Sequence, residues 1–251
     1  MITLFLMASL AVEMVIITGG EYRPLYFKKD SELISVSSFM LDTTPVSNKQ
    51  FFEYVERTPS WKKNRIPMLF SEDTYLGHWS VTGTVWKPDV PQNRVAVTNV
   101  SWFAANAYCK GQGKRLPTVD EWEYVARASE SRPDGSAESS YNQRILDWYA
   151  RPNANITIGQ TAANYWGVKD LHGVIWEWTE DFNSNLISGE SRADTSIDTK
   201  LYCAAGASDA ADPSDYAAFM RYGFRSSLQA RYAISNLGFR CAKDAGEDID
   251  D

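Results

Sequence analysis

Residues 113–127 read GKRLPTVDEWEYVAR, and the reading of Thr118 decides what fold the chain can form. A threonine directly after a proline, with Glu121 three positions on, is a capping box, so a helix starts at Val119. Trp122, Val125 and Ala126 then share one side of that helix. Just upstream, residues 99–112 (NVSWFAANAYCKGQ) place Ser101 as a second cap, with Phe103, Ala107 and Tyr108 on a common face. Gly111 and Gly113 stop this helix. Two short amphipathic helices around a loop are therefore expected, which excludes a long-helix bundle.

Moving outward, residues 13–27 (EMVIITGGEYRPLYF) read as a strand, a Gly19-Gly20 turn and a second strand. Residues 35–57 read as a strand leading into a helix, whose start carries Ser47 with Gln50 in another capping box, followed by Phe51, Phe52, Tyr54 and Val55. Residues 59–98 contain Pro, Gly and three Trp without clear periodicity and are expected to form a long ordered surface excursion. Residues 129–170 read mostly as loop. Residues 171–182 (LHGVIWEWTEDF) form a short β-type run with Trp176 and Trp178 on one face and Glu177 opposite. A terminal strand is expected at 237–242. Neither internal repeats nor a low-complexity linker divides the chain.

Composition agrees with one irregular, loop-rich domain. The chain has 251 residues, 44% hydrophobic, with nine Trp and thirteen Tyr. That is enough apolar material for one sizeable core, pinned by large amphipathic rings. The net charge of −7 is concentrated at one end, since Asp244, Glu247, Asp248, Asp250 and Asp251 supply five of the negative charges. The remaining body stands near neutrality and offers no basic face for phosphates, so nucleic acid is not an expected partner. Residues 244–251 read as a solvated acidic tail. Residues 1–11 (MITLFLMASLA) are apolar, too short to span a bilayer, and end in small residues suited to signal cleavage. They are read as the remnant of a signal peptide before a domain at 12–243, which places the protein in the periplasm or outside the cell. If they are not a signal, the protein is cytoplasmic. No other stretch approaches transmembrane length.

Four pieces in this order, NVSW at 99, GKRLPTVDEWEYVAR at 113, GVIWEWTEDF at 173 and NLGFRCA at 236, resemble the formylglycine-generating enzyme (sulfatase-modifying factor) family. The resemblance covers residues 13–243. It implies a single compact α+β domain, loop-rich for its size and related to the C-type lectin fold. It also implies a disulfide between Cys109 and Cys241, which would suit an oxidising compartment. Cys203 is then left over as a small buried core residue or as a thiol with a reactive or metal-binding role.

In family members that oxidise a sulfatase cysteine, two cysteines five residues apart bind Cu(I), an ion suited to soft thiolates. The register puts those positions near Asp212 and Ala217, and no residue from 204 to 240 is cysteine. Copper is therefore not expected. The family's GNVWEW becomes GVIWEW here, so Val174 replaces an asparagine that helps hold a structural calcium ion. Asn155 and Ile156 resemble the start of a second calcium site, which keeps calcium as a candidate structural cofactor.

Residues 215–227 (DYAAFMRYGFRSS) carry Arg221 and Arg225 among aromatic residues. One reading makes Trp176, Glu177, Tyr216, Arg221, Tyr222 and Arg225 the wall of a cleft for an anionic or peptide ligand. The other is an alternating strand whose arginines are buried in ion pairs with Glu177 or Asp181. The acidic residues Asp120, Glu121 and Glu123 read as a capped helix start suited to the helix dipole. His78 and His172 are too few for a histidine metal centre. No nucleophile elbow, P-loop or dinucleotide fingerprint is present. The resemblance is to exported family members encoded near bacterial nitrite reductases, which implies an accessory factor that recognises a protein or peptide partner. Two alternatives stay open: an oxidase or maturation enzyme with different chemistry in the same cleft, as in relatives acting in pyoverdine maturation, and an immunity-type protein that neutralises a secreted toxin.

Overall fold

The capped starts expected from the sequence form helices in the computed structural model, which describes residues 12–23, 33–89, 93–150, 157–183 and 216–246. Helix α1 (Asn48–Arg57) begins on Ser47, whose hydroxyl accepts from the Gln50 amide while the Gln50 side chain returns to the Ser47 amide. Helix α2 (Trp102–Gly111) begins on Ser101. Helix α3 (Val119–Ala126) begins on Thr118, with the reciprocal Glu121 contact in place. Each cap satisfies amide donors that a helix start leaves open, worth about 1 kcal/mol apiece.

Among the described residues the strands are short and scattered over four small sheets. Strands β1 (Met14–Ile17), β4 (Phe39–Asp42) and β9 (Ala242–Asp244) form an antiparallel sheet in the order β1-β4-β9. Strand β2 (Gly20–Tyr22) pairs with β3 (Ile34–Val36), and β5 (Ser80–Thr82) with β6 (Val85–Lys87), both antiparallel. Strand β7 (Trp176–Glu177) runs parallel to β8 (Leu237–Gly238). The strands flanking Gly19 thus enter different sheets and do not form a hairpin. The expected terminal strand is likewise two pieces, β8 and β9. Asp244, assigned above to the acidic tail, is the last residue of β9 and pairs with Arg115 at 2.7 Å.

Among the described residues, two further helices depart from the sequence expectation. Helix α4 (Ser139–Tyr149) lies inside the stretch read as loop, and helix α5 (Tyr216–Ser226) occupies the segment for which a strand was considered. In a helix, positions four apart are neighbours on one face, so Arg221 and Arg225 point the same way. Helix α5 packs Ala218 and Tyr222 against Val119 of α3, and Ala217 against Tyr141 and Ile145 of α4.

The main core lies between α1, α2 and the C-terminal strands. Phe51 is fully buried, with the rings of Tyr54, Trp79, Tyr108 and Phe239 around it at 5.7–6.4 Å. A buried phenylalanine of this kind contributes roughly 1.5–3 kcal/mol relative to an exposed one. Cys109 and Cys241 form the disulfide that the resemblance implied, joining α2 to the chain just before β9 across 132 residues. Gly238 explains its own identity. A side chain there would run into the Val97 carbonyl, so β8 can pass this close only as glycine.

Candidate functional site

The candidate cleft residues converge on Trp122. From one side come the two arginines of α5, with Arg225 over the indole at 4.6 Å and Arg221 at 5.5 Å. At its edge, Trp122 Nε1 donates to Glu177 Oε2 at 2.8 Å. Trp176 stacks on Phe224 with centroids 4.6 Å apart and planes 23° from parallel, and both rings remain half-buried. Aromatic faces attract guanidinium groups, so Trp122 is an anchor for the arginines as well as a core side chain.

Both arginines are committed to Glu123. Arg221 Nη2 donates to Glu123 Oε2 at 2.7 Å and its Nε bridges both carboxylate oxygens, while Arg225 Nη1 donates to Oε1 at 2.5 Å. All three side chains are nearly water-free, at 3–4% exposure. Burial pushes the Glu123 carboxyl up, but the two guanidinium groups outweigh it and hold the group down at about 2. The carboxylate is ionised at any ordinary pH.

A second buried pair sits beside it. Arg240 is fully buried and donates to both oxygens of Glu177 at 2.8 Å, with further bonds to the carbonyls of Asp42 and Lys169. Neither expected partner, Glu177 or Asp181, therefore meets the α5 arginines. Glu177 answers Arg240, and Asp181 accepts from the Val119 amide at 2.7 Å, closing the α3 start. The expected β-run at 171–182 is a strand only at Trp176–Glu177, and Glu177 lies inside, 3% exposed, so the side opposite Trp176 and Trp178 is buried and not a polar face.

His172 lies close by, with Nε2 3.1 Å from the Ala126 carbonyl and its ring edge-on to Trp122. Burial first, and the Arg221 charge second, depress it to about 3, so the imidazole is neutral. Gly173, the next residue, has φ of 80° and lies against Trp148 so closely that a side chain would collide. That contact seats α4 against the turn that follows His172.

The space left among Trp122, Trp176, Glu177, Arg221, Phe224 and Arg225 is about 10 Å³. It has room for about one water molecule. Of the six residues named for the cleft, Trp176, Glu177, Arg221 and Arg225 thus share one packed block. Tyr222 belongs to the neighbouring contact with Val119, and burial drives its phenol far above the ordinary value. The side chain of Tyr216 lies outside the described residues, as do Asn155, Ile156, Cys203 and Asp212.

The description of the sulfatase-modifying factor enzyme 1-like domain matches residues 7–245. The chain belongs to that family. The formylglycine-generating enzyme of Thermomonospora curvata is 27% identical over 289 residues, covering 94% of this chain and 95% of that protein. The inactive C-alpha-formylglycine-generating enzyme 2 of Mus musculus is 27% identical over 265 residues, covering 87% and 79%. Among solved structures, Treponema denticola variable protein 1 superposes with a TM-score of 0.51 at 16% identity, covering 92% of this chain and 95% of that one. That last likeness concerns the fold alone.

Against the sulfatase-modifying factor pattern, Ala217 stands near one expected thiol position and is fully buried against α4. Val174, at the expected asparagine, is 5% exposed and turned into the interior. Glu123 is the functional-looking residue that the sequence reading misplaced. Its position gives the signal that could have found it, because Val119, Trp122, Glu123 and Ala126 fall at i, i+3, i+4 and i+7, the inward stripe of α3. A charge on that stripe requires a buried partner.

Proposed function

We propose that this protein is a binding member of the sulfatase-modifying factor family, an exported accessory factor that recognises a partner protein and does not carry out copper-dependent oxidation of cysteine. The supporting observation is the sulfur inventory. The sequence has three cysteines, and Cys109 and Cys241 are joined to each other. One thiol, Cys203, is left, and a two-thiolate Cu(I) site needs two. The donor set therefore does not fit the copper centre that the resemblance implies. A buried alanine methyl at position 217 cannot supply the second ligand.

Two further points support the reading. A relative of similar identity over most of its length is itself described as inactive, so the scaffold there outlasts the chemistry. The disulfide, which ties α2 to the C-terminal strand, suits an oxidising compartment and hence export. The test is direct. Purified protein supplied with Cu(I), oxygen and a peptide containing Cys-x-Pro-x-Arg should leave the peptide unchanged by mass spectrometry. Conversion of the cysteine to an aldehyde would sink the proposal.

A further inference from the structure

Two larger cavities are formed among the described residues, one reaching His172 beside the Trp122 block and one at the end of α1, and their polar groups differ in what they have left to offer. The larger, about 270 Å³, is bordered by α4 and the 161–172 segment. Its polar side chains are already engaged within the protein. Asp170 accepts from the Gly159 and Thr161 amides, Asn164 bonds Val125, Trp166 and Val168, and Ser129 donates to Glu138. The smaller, about 190 Å³, is lined by the end of α1, the 62–65 turn and β6. Three cations face it, Lys62, Lys63 and Arg65, against one carboxylate, Glu56, with Trp79 and Trp86 as apolar walls.

Those three cations are not equivalent. Lys62 is paired with Glu56 at 2.7 Å. Lys63 donates to the Asp73 and Tyr75 carbonyls and lies 5.0 Å over the Trp86 ring, which shapes the wall. Arg65 is exposed, and among the described residues no side-chain bond or ion pair engages its guanidinium. The pocket therefore carries a local excess of two positive charges on a chain whose net charge is −7. It is too small for a typical organic cofactor and large enough for one side chain. Beside it, β6 pairs with β5 alone among the described residues, which leaves its other edge to a further strand.

We propose that this pocket and the β6 edge receive an extended segment of a partner protein, which lays a glutamate or aspartate side chain between Arg65 and Trp86 and adds its backbone to β6. The charge excess selects a carboxylate, the unengaged guanidinium supplies the bidentate contact, and the open edge favours a peptide over a free acid. The inference rests on the partner-binding reading and specifies its surface.

The probe is an acetylated, amidated peptide of alternating valine and glutamate, titrated calorimetrically into the full-length protein, with the valine–lysine peptide and sodium glutamate as controls. The expected result is saturable binding of the glutamate peptide, at least tenfold tighter than either control, falling at least tenfold in Arg65→Glu. Arg65 is exposed and structurally unengaged, so that variant should fold as the parent does. Equal binding of the lysine peptide, equal binding of free glutamate, undiminished binding by Arg65→Glu, or no binding at millimolar peptide would each overturn the proposal. None of these results touches the copper argument, which the sulfatase-type peptide tests separately.

Discussion

Two groups of cations in this molecule look alike in sequence and behave oppositely in structure. Arg221 and Arg225 sit four apart in an aromatic run, and Lys62, Lys63 and Arg65 sit between Trp61 and Trp79. The first pair is 3% exposed, bound to Glu123 and stacked on Trp122, with about 10 Å³ of free space alongside. The second group borders about 190 Å³ and keeps one guanidinium that no described residue accepts from. Arginine rich in aromatic neighbours thus marks architecture when a carboxylate is buried with it, and stays available for an outside acceptor only when no such carboxylate is at hand.

The comparison breaks most visibly if the buried block can be loosened without harm. The disulfide comes first, because it fastens the chain next to Arg240. Closing a loop of 132 residues restricts the unfolded chain, so Cys109→Ser should cost about 4–5 kcal/mol. Chemical unfolding with and without reductant measures it, and a loss below 1 kcal/mol would show that the block holds itself together.

Next is Glu123→Ala, which leaves two guanidinium groups buried without a counter-ion. Breaking a buried pair by removing one partner costs roughly 3–5 kcal/mol, a fall in Tm of the order of 10 °C for a domain of this size. Replacing Arg225 alone leaves Glu123 its Arg221 contacts and should cost less. Were the arginines instead a ligand site, Glu123→Ala would spare stability and change binding.

Acid provides the third and smaller test. The Glu123 carboxyl is held at about 2 against an ordinary 4.5, so its stabilisation is present above pH 4.5 and drains away as pH falls toward 2. His172 is depressed to about 3 from 6.5, so below pH 6.5 the unfolded chain takes up a proton that the folded one refuses. Stability should therefore fall by up to about 1.4 kcal/mol per pH unit between pH 6.5 and 4.5 on account of His172, with Glu123 adding to the slope below. Asp42 and Asp120, raised by burial, act in the opposite sense near pH 4 and soften the total. His172→Gln should flatten the upper part of the profile in denaturant midpoints measured across pH 4.5–7. An unchanged slope would mean that some other group carries it.

The difference between the two cation groups was only partly legible in the sequence. Ser47, Ser101 and Thr118 announce three helices because a cap is a local event within four residues. The same Thr118 reading hid Glu123, since a carboxylate near a helix start is already explained by the dipole and invites no search for a partner. That partner lies about a hundred residues away on α5, whose helical spacing of arginines was masked by aromatic residues that suit strands equally well. Helix α4 escaped for a related reason. Its Ser139–Tyr149 sequence starts without a capping side-chain bond and is held by tertiary contacts, among them Ile145 against Ala217 and Trp148 against Gly173. Cysteine pairing was readable only through the family motifs, because spacing alone does not determine connectivity.

The smallest expected effect is also the sharpest for the comparison. Arg65→Glu removes a guanidinium that no described residue accepts from and places a carboxylate in a cation-rich pocket. A surface substitution of this kind should move stability by no more than about 0.5 kcal/mol, and new attraction to Lys62 and Lys63 could make the sign favourable. Thermal unfolding of the variant beside Glu123→Ala, in one buffer, sets the two groups on a single scale. A destabilisation above 1 kcal/mol at Arg65 would mean that this side chain also holds the fold, and the distinction between an engaged and an available cation would have to be withdrawn.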